Sequence, residues 1–280
     1  MDFWEWLRIL FISIVEGITE WLPISSTGHM ILVDEVWKTS ATTVLTPEFW
    51  RVFLVLVQLG AIMAVITVFF RRLNPISKKK NQEERKRTIE LWVKIVIGCL
   101  PAGIAGILLD DWLDAHLYNG YVVAAMLILY GILFVFLESK NKHRKFQVQK
   151  FSQMTYQMAL LIGVIQILSL IPGTSRSGVT ILGAMLLGCS RYIAAEYAFF
   201  LAIPIMTGAS LLKFFKYLLS GNGFSGTQLL IVLVGMLTAY IVSFFVIRFL
   251  LQYVKKKDFS AFGFYRIILG LVVMVFFLIS

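Results

Sequence analysis

Long apolar stretches constrain the fold of this sequence more than any other feature. A helix needs about 17–25 residues to cross a lipid bilayer. Six stretches reach that length, and they cover residues 52–70, 91–109, 121–137, 194–213, 228–252 and 262–279. In the hydrocarbon region the backbone must satisfy its hydrogen bonds internally, which an α-helix does within one segment. The sequence therefore predicts an all-α, polytopic membrane protein with about six full transmembrane helices.

The charge composition supports membrane insertion and argues against a nucleic-acid partner. Only 15% of the 280 residues are charged, whereas 59% are hydrophobic. A soluble domain carries about 25% charged residues. The formal net charge is +10, but its basic residues lie in short segments between apolar stretches and do not form a basic face. We therefore expect membrane lipids as the surroundings and no nucleic acid as a partner.

Two further apolar regions are interrupted by polar residues. Residues 9–33 are broken at Pro23 and the Ser-Ser-Thr-Gly sequence that follows it, and residues 158–190 are broken at Pro172 and a Gly-Thr-Ser-Arg-Ser-Gly sequence. Each piece is about a dozen residues long, which is too short to span a bilayer. Both regions are therefore predicted to be re-entrant helical hairpins, which enter and leave the membrane on one side.

The distribution of lysine and arginine predicts the orientation. Basic residues concentrate in the predicted loops 71–90 and 138–157 and in residues 255–257, which follow the apolar stretch 228–252. Positive charge favours the cytoplasmic side, so all three segments are predicted to be cytoplasmic. Residues 110–120, with Asp110, Asp111 and Asp114, are predicted to form a short external loop.

This orientation predicts an inverted-topology repeat. Region 158–193 must begin and end on the cytoplasmic side, whereas region 1–33 must begin and end outside. Residues 1–137 and 150–280 would then have the same architecture in opposite orientations, within one integral membrane domain. In folds of this kind the functional site lies near the midplane, where the broken helices meet.

The first polar break begins with two glutamates. Glu16 and Glu20 are four residues apart, so a helix places them on one face. An ionised residue at the membrane centre costs about 2.5–3.5 kcal/mol, and two neighbouring carboxylates also repel each other. Oxygen ligands favour a hard cation, so we predict that Glu16 and Glu20 bind a divalent cation, Mg²⁺ or Ca²⁺. The alternative is a water-exposed helix end.

Hydroxyl groups and a histidine follow in the same break. Ser25, Ser26 and Thr27 can form an anion site together with a helix N-terminus. At least one of them could instead cap the helix. His29 can transfer a proton near neutral pH, although an isolated histidine is usually structural.

The second break carries a cation. Arg176 presents a planar guanidinium that matches two phosphate oxygens. Thr174, Ser175 and Ser177 surround it and are predicted to contact the same phosphate. Arg176 could alternatively extend to the membrane interface, or form a structural ion pair with Glu16 or Glu20.

Both breaks resemble the signature motifs of a known family. The sequences EGITEWLPISSTGH and PGTSRSG resemble those of the undecaprenyl-pyrophosphate phosphatases of the bacitracin-resistance type, and residues 57–65 and 190–204 are also similar. The resemblance maps the family's carboxylates to Glu16 and Glu20, and its phosphate-binding arginine to Arg176.

The resemblance also implies a function. It implies hydrolysis of undecaprenyl pyrophosphate, a prenyl pyrophosphate lipid, to undecaprenyl phosphate, which recycles the lipid carrier for cell-wall synthesis. It further implies the bacterial plasma (inner) membrane, a divalent metal and a site open to the outer face.

The catalytic roles and the oligomeric state stay open at this point. We favour Ser26 as nucleophile with His29 as acid/base, alongside Glu20 and Arg176. Water activated by His29 or Glu20, or attack by His29 itself, would use the same residues. The rival function is a lipid-carrier flippase or secondary transporter, which the inverted repeat would suit. The sequence is compatible with a homo-oligomer and does not fix the oligomeric state.

Overall fold

Helices form nearly all the regular structure of the chain. The computed structural model describes residues 3–37 and 44–279, and within these ranges it contains no β-strand. The helices are α1 (Phe3–Thr19), α2 (Ser26–Val36), α3 (Pro47–Val68), α4 (Phe70–Leu73), α5 (Gln82–Leu117), α6 (Gly120–Asn141), α7 (Tyr156–Gln166), α8 (Arg176–Leu186), α9 (Arg191–Leu219), α10 (Gly226–Tyr253) and α11 (Ser260–Ile279). The predicted all-α class is confirmed.

Six of these helices, α3, α5, α6, α9, α10 and α11, are long and apolar enough to cross a membrane, as predicted. Helix α5 begins at Gln82, so residues 82–90, predicted as loop, are helical. The reason is a capping box, in which Asn81 and Glu84 satisfy each other's backbone N–H groups. Helix α5 also runs on to Leu117, into the segment predicted as an external loop. The side chains of Asp110, Asp111 and Asp114 lie outside the described part.

The segment containing α7 and α8 starts and finishes at the same end of the molecule. Both helices have only 11 residues. The Val148 N–H donates to the Gly188 carbonyl (3.1 Å), and the Ser190 N–H donates to the Val148 carbonyl (2.8 Å), which closes the segment beside its own start. Helix α2 likewise returns along α1, since the Phe11 and Trp37 rings are 5.9 Å apart. The position of either pair within a bilayer stays a prediction.

The three basic segments gather at one end of the molecule. Arg71 and Lys150 line the same cavity, which Tyr192 also borders. The Lys255 ammonium lies 5.1 Å from the centre of the Tyr192 ring. The segments predicted to share the cytoplasmic side therefore do lie together.

The two halves of the chain interlock and do not pack as separate units. Helix α6 packs on α11, α3 on α10 and α9, α1 on α10, and α5 on α7. Small residues permit the closest crossings, as is usual in membranes. A Cβ on Gly60 would lie 2.1 Å from the Met236 carbonyl oxygen, and one on Gly131 would lie 2.7 Å from the Gly263 carbonyl oxygen. This interlocking brings together the two polar breaks, which are distant in sequence.

Candidate active site

The two breaks share an uncommon backbone conformation. Ser25 has φ 72° and Ser175 has φ 71°, and they are the only non-glycine residues with positive φ in the described chain. Each hydroxyl accepts a hydrogen bond from a glycine N–H three residues later, Gly28 (3.3 Å) or Gly178 (3.1 Å). Such conformations cost of order 1–3 kcal/mol and occur preferentially at functional sites. Helices α2 and α8 therefore begin in the same way, and Ser25 has the capping role that was one interpretation of it.

Both helix N-termini border one cavity. It has a volume of about 170 Å³ and is lined by Ser26 and Thr27 of α2 and by Ser175 and Arg176 at the start of α8. The first N–H groups of a helix have no partner within the helix, and together with the helix dipole they attract anions. The volume is that of about six water molecules. The cavity therefore suits a small anion such as a phosphate group.

Arg176 joins the two breaks. Its Nη2 donates to Glu20 Oε1 (3.0 Å), and its Nη1 donates to the Ala198 carbonyl (2.7 Å). Its guanidinium carbon lies 5.9 Å from the centre of the Trp21 ring. The side chains of Arg176 and Glu20 are only 10% and 8% exposed, so the pair lies largely out of water. The ion pair considered as an alternative is thus present, and it places the guanidinium at the cavity wall.

Glu20 also holds the hydroxyl of Ser26. Ser26 Oγ donates to Glu20 Oε2 at 2.8 Å, while the other carboxylate oxygen accepts from Arg176. A carboxylate that accepts a hydrogen bond from a hydroxyl group is placed to act as a general base for that hydroxyl. The structure therefore brings together three of the four predicted catalytic residues.

Glu16 lies beside this group in the protein interior. It is 1% exposed, and its Oε1 has no hydrogen-bond partner among the described residues. Gln58 and Glu20 are its polar neighbours. A buried, unpartnered carboxylate oxygen next to other oxygen donors fits a hard cation. The described residues contain no cluster of three or more His, Cys, Asp or Glu side chains suited to a metal. Any remaining ligands would therefore be Gln58, water or substrate oxygens.

His29 does not line the cavity. Its Nδ1 lies 2.7 Å from the Ser25 carbonyl oxygen, which can only accept, so Nδ1 carries a proton. In the neutral ring Nε2 then accepts from the Tyr265 hydroxyl, which is 2.7 Å away, and the two rings lie parallel. Both ring nitrogens are thus engaged away from Ser26. The sequence did not point to Tyr265.

Two predicted phosphate contacts of the second break do not border the cavity either. Thr174 is fully buried. Ser177 Oγ donates to the Leu22 carbonyl (3.3 Å) and lies 3.2 Å from Ser175 Oγ. Ser177 therefore ties the two breaks together. Of the predicted contacts, Thr27, Ser175 and Arg176 line the cavity.

Comparison with known proteins agrees with these motifs. Residues 9–272 match the family described as bacitracin resistance protein BacA. The chain belongs to the BacA family. It is 51% identical to a protein of Enterococcus faecalis over 98% of both chains, and 52% identical over the full length of both chains to one of Lachnoclostridium phytofermentans. Both relatives are named undecaprenyl-diphosphatase. A Clostridioides difficile relative named undecaprenyl-diphosphatase 1 is 52% identical over 98% of this chain and 96% of its own.

In this BacA-family chain, a second arginine holds the two breaks in position. Arg266 of α11 is fully buried. Its Nη1 donates to the Pro23 carbonyl (3.2 Å) in the first break, and its Nη2 donates to the Gly173 and Thr174 carbonyls (both 3.0 Å) in the second. Arg266 is not among the site residues predicted from the sequence. An arginine inside the apolar stretch 262–279 was the available signal, because charged residues within membrane helices usually serve function.

Proposed function

We propose that this protein hydrolyses undecaprenyl diphosphate (pyrophosphate) to undecaprenyl phosphate and inorganic phosphate. Relatives that are 51–52% identical over nearly the whole chain carry the name undecaprenyl-diphosphatase. The observation that carries the proposal is the meeting of two helix N-termini and the Arg176 guanidinium at one phosphate-sized cavity. Such a site stabilises the charge on a transferred phosphoryl group.

In this mechanism, substrate binding changes the hydrogen-bond partners of the Arg176 guanidinium. The bond from Nη1 to the Ala198 carbonyl orients the guanidinium, while Nη2 holds Glu20. The terminal phosphate oxygens replace Glu20 on the guanidinium and also meet the N–H groups at the starts of α2 and α8. This exchange frees Glu20 to accept a proton. The prenyl chain stays in the membrane, since the cavity holds only a small polar group.

Ser26 is the nucleophile in this proposal, and Glu20 is its base. The Ser26 oxygen forms a bond to the terminal phosphorus while the bond to the bridging oxygen breaks, releasing undecaprenyl phosphate. The hydroxyl proton passes to Glu20 and then to the leaving phosphate oxygen. Water next attacks the phosphoserine and gives a proton to Glu20, which returns it to Ser26 as phosphate leaves. His29, bonded to Ser25 and Tyr265, orients the start of α2.

A divalent cation completes the proposed site. Glu16 and Glu20, with the neighbouring Gln58, would hold Mg²⁺ or Ca²⁺. When bound, the cation neutralises charge on the carboxylates and the diphosphate. Glu16 contributes the buried oxygen for which no other partner is described.

We also propose how the protein is placed in the cell. The basic end would face the cytoplasm of a bacterial plasma membrane, and the site would open to the outer face. The α1–α2 and α7–α8 pairs would be re-entrant hairpins of an inverted repeat. The N-cap residues Ser25 and Ser175, which have nearly equal positive φ angles, support the relation between the two pairs.

Phosphate release in detergent tests the proposed function. Purified protein is incubated with undecaprenyl diphosphate or farnesyl diphosphate, with and without EDTA, and inorganic phosphate is measured. Hydrolysis needs no second compartment, whereas transport does, so a transporter without chemistry would release nothing. We expect release from the long substrate, its loss with EDTA and its recovery with excess Mg²⁺ or Ca²⁺. If a Glu20→Gln protein purified in parallel releases as much inorganic phosphate as the wild-type protein, the proposal is refuted.

The Ser26→Ala variant tests the nucleophile. We expect kcat to fall by about 10³-fold or more with little change in KM, because the covalent step is lost and binding groups remain. The matched control is Ser169→Ala, which removes another hydroxyl from the cavity wall and should change kcat by less than about tenfold. If Ser26→Ala behaves like that control, Ser26 is not the nucleophile.

A further inference from the structure

A second cavity lies away from the site above, at the basic end of the molecule. Its volume is about 630 Å³, and it lies between the segment after α4, the first turns of α5, residues 149–152 and the start of α9. Seven lining side chains are basic and two are acidic, a net formal charge of +5. Like charges at this density repel one another, so the cavity offers a favourable place for a multiply charged anion.

The acidic side chains in and beside this cavity are already engaged. Glu84 accepts the Asn81 N–H (2.9 Å) in the capping box of α5. Glu196, which is buried next to the cavity, forms an ion pair with Arg72. The remaining acidic lining residue, Glu90, lies near Lys94. Glu83, outside the lining, forms an ion pair with the lining residue Arg87 (3.1 Å). When Glu83 and Glu196 are both counted, the net formal charge is +3, so positive charge is left for an external ligand.

Several of the cations are held in place. Lys80 Nζ donates to the Thr88 hydroxyl (2.6 Å) and to the Arg72 carbonyl (3.1 Å), which leaves one of its three N–H groups. Lys94 is buried, and its Nζ donates to the Phe151 carbonyl (3.0 Å). Fixed ammonium groups lose little side-chain entropy when a ligand binds, which separates this cavity from a mobile basic loop.

The cavity wall also has an apolar part, which indicates the kind of anion. Leu91, Phe151 and Ile193 line it together with the cations. Inorganic phosphate has no apolar atoms to contact this surface, whereas a lipid can contact it with its glycerol carbons and the first carbons of its acyl chains. Basic pockets between membrane helices on the cytoplasmic side recognise anionic lipid headgroups.

We propose that this cavity binds the phosphate headgroup of an anionic phospholipid of the cytoplasmic leaflet. The site is separate from the one that holds Glu20 and Arg176, and its occupancy does not depend on hydrolysis. The bound lipid would bridge the start of α5 to the residues that precede α7 and to the start of α9.

Native mass spectrometry of the full-length protein in detergent tests the proposal. The probes are dioleoyl phosphatidylglycerol, dioleoyl phosphatidylcholine and inorganic phosphate. The double variant Lys79→Gln/Lys80→Gln removes two lining charges. Its matched control, Lys78→Gln/Lys86→Gln, removes two charges from the same part of the chain outside the lining. Each basic contact near a membrane is worth about fivefold in affinity.

We expect the lining variant to weaken phosphatidylglycerol binding about 25-fold and the control variant to weaken it less than about twofold. The single variant Lys79→Gln leaves the Lys80 hydrogen bonds intact and should weaken phosphatidylglycerol binding about fivefold. It replaces the double variant in the test if the double variant unfolds. Equal losses in both double variants would show diffuse surface charge and overturn the proposal. Equal binding of phosphatidylcholine, or displacement of the lipid by a matching concentration of inorganic phosphate, would overturn it too.

Discussion

Lysine in place of Arg176 is expected to lower kcat/KM for undecaprenyl diphosphate by about 10²-fold or more. Removal of one preorganised charge-stabilising donor typically costs about 10²–10³-fold. The guanidinium has a planar set of donors that reach Glu20 and the Ala198 carbonyl at the same time. An ammonium group is a point charge on a flexible stem and cannot keep this geometry while it binds two phosphate oxygens.

The measurement is steady-state phosphate release by the detergent-purified variant, with thermal unfolding recorded alongside. Arg248→Lys is the matched control, because Arg248 lies on the exposed surface of α10 over the Phe244 ring. The control should retain kcat/KM within about twofold. Wild-type kcat/KM in Arg176→Lys would remove the bidentate arginine from the proposed mechanism.

Methionine in place of Arg266 is expected to destabilise the protein and to impair the site. Arg266 donates to carbonyl groups in both breaks and, at 3.4 Å, to the Met126 carbonyl. A buried carbonyl that loses its donor costs about 1–3 kcal/mol. Since at least two such groups would stay unsatisfied, we expect a loss of about 2–5 kcal/mol in the free energy of unfolding.

Two measurements separate the positioning role of Arg266 from a purely structural one. The unfolding midpoint reports stability, and KM and kcat are measured at a temperature where the variant is fully folded. We expect KM to rise there, because the starts of α2 and α8 are no longer held at a fixed separation. Ile268→Met, on the exposed face of the same helix, is the matched control and should leave both quantities near wild type. A folded Arg266→Met protein with wild-type KM and kcat would show that Arg266 contributes stability alone.

The site residues show how far sequence reasoning reached. The sequence predicts Glu20, Ser26 and Arg176 as site residues because charges and hydroxyls within apolar stretches are costly unless they serve a function. The structure brings all three together. His29 is predicted only from the chemistry of its imidazole group. Its direction depends on Tyr265, more than two hundred residues later in the chain, and no local pattern reports that contact.

Arg266 shows a second limit. Its charge inside an apolar stretch was visible in the sequence, but its partners are backbone carbonyls, which every residue has. Only the crossing of α11 over the two breaks selects the Pro23, Gly173 and Thr174 carbonyls as acceptors. The sequence likewise shows the basic cavity only as two separate charged segments, 71–90 and 138–157.

The amino-acid sequence by itself determined the helical class, the six long apolar helices, the two polar breaks and the family. These properties follow from local composition, because a membrane requires long apolar helices and penalises each polar group within them. The tertiary structure decided which polar groups meet: Arg176 with Glu20, His29 with Tyr265, and Arg266 with both breaks. Lipid is as apolar as the helix surfaces, so hydrophobicity does not tell which face of a helix packs inward; close contacts and interhelical hydrogen bonds decide it.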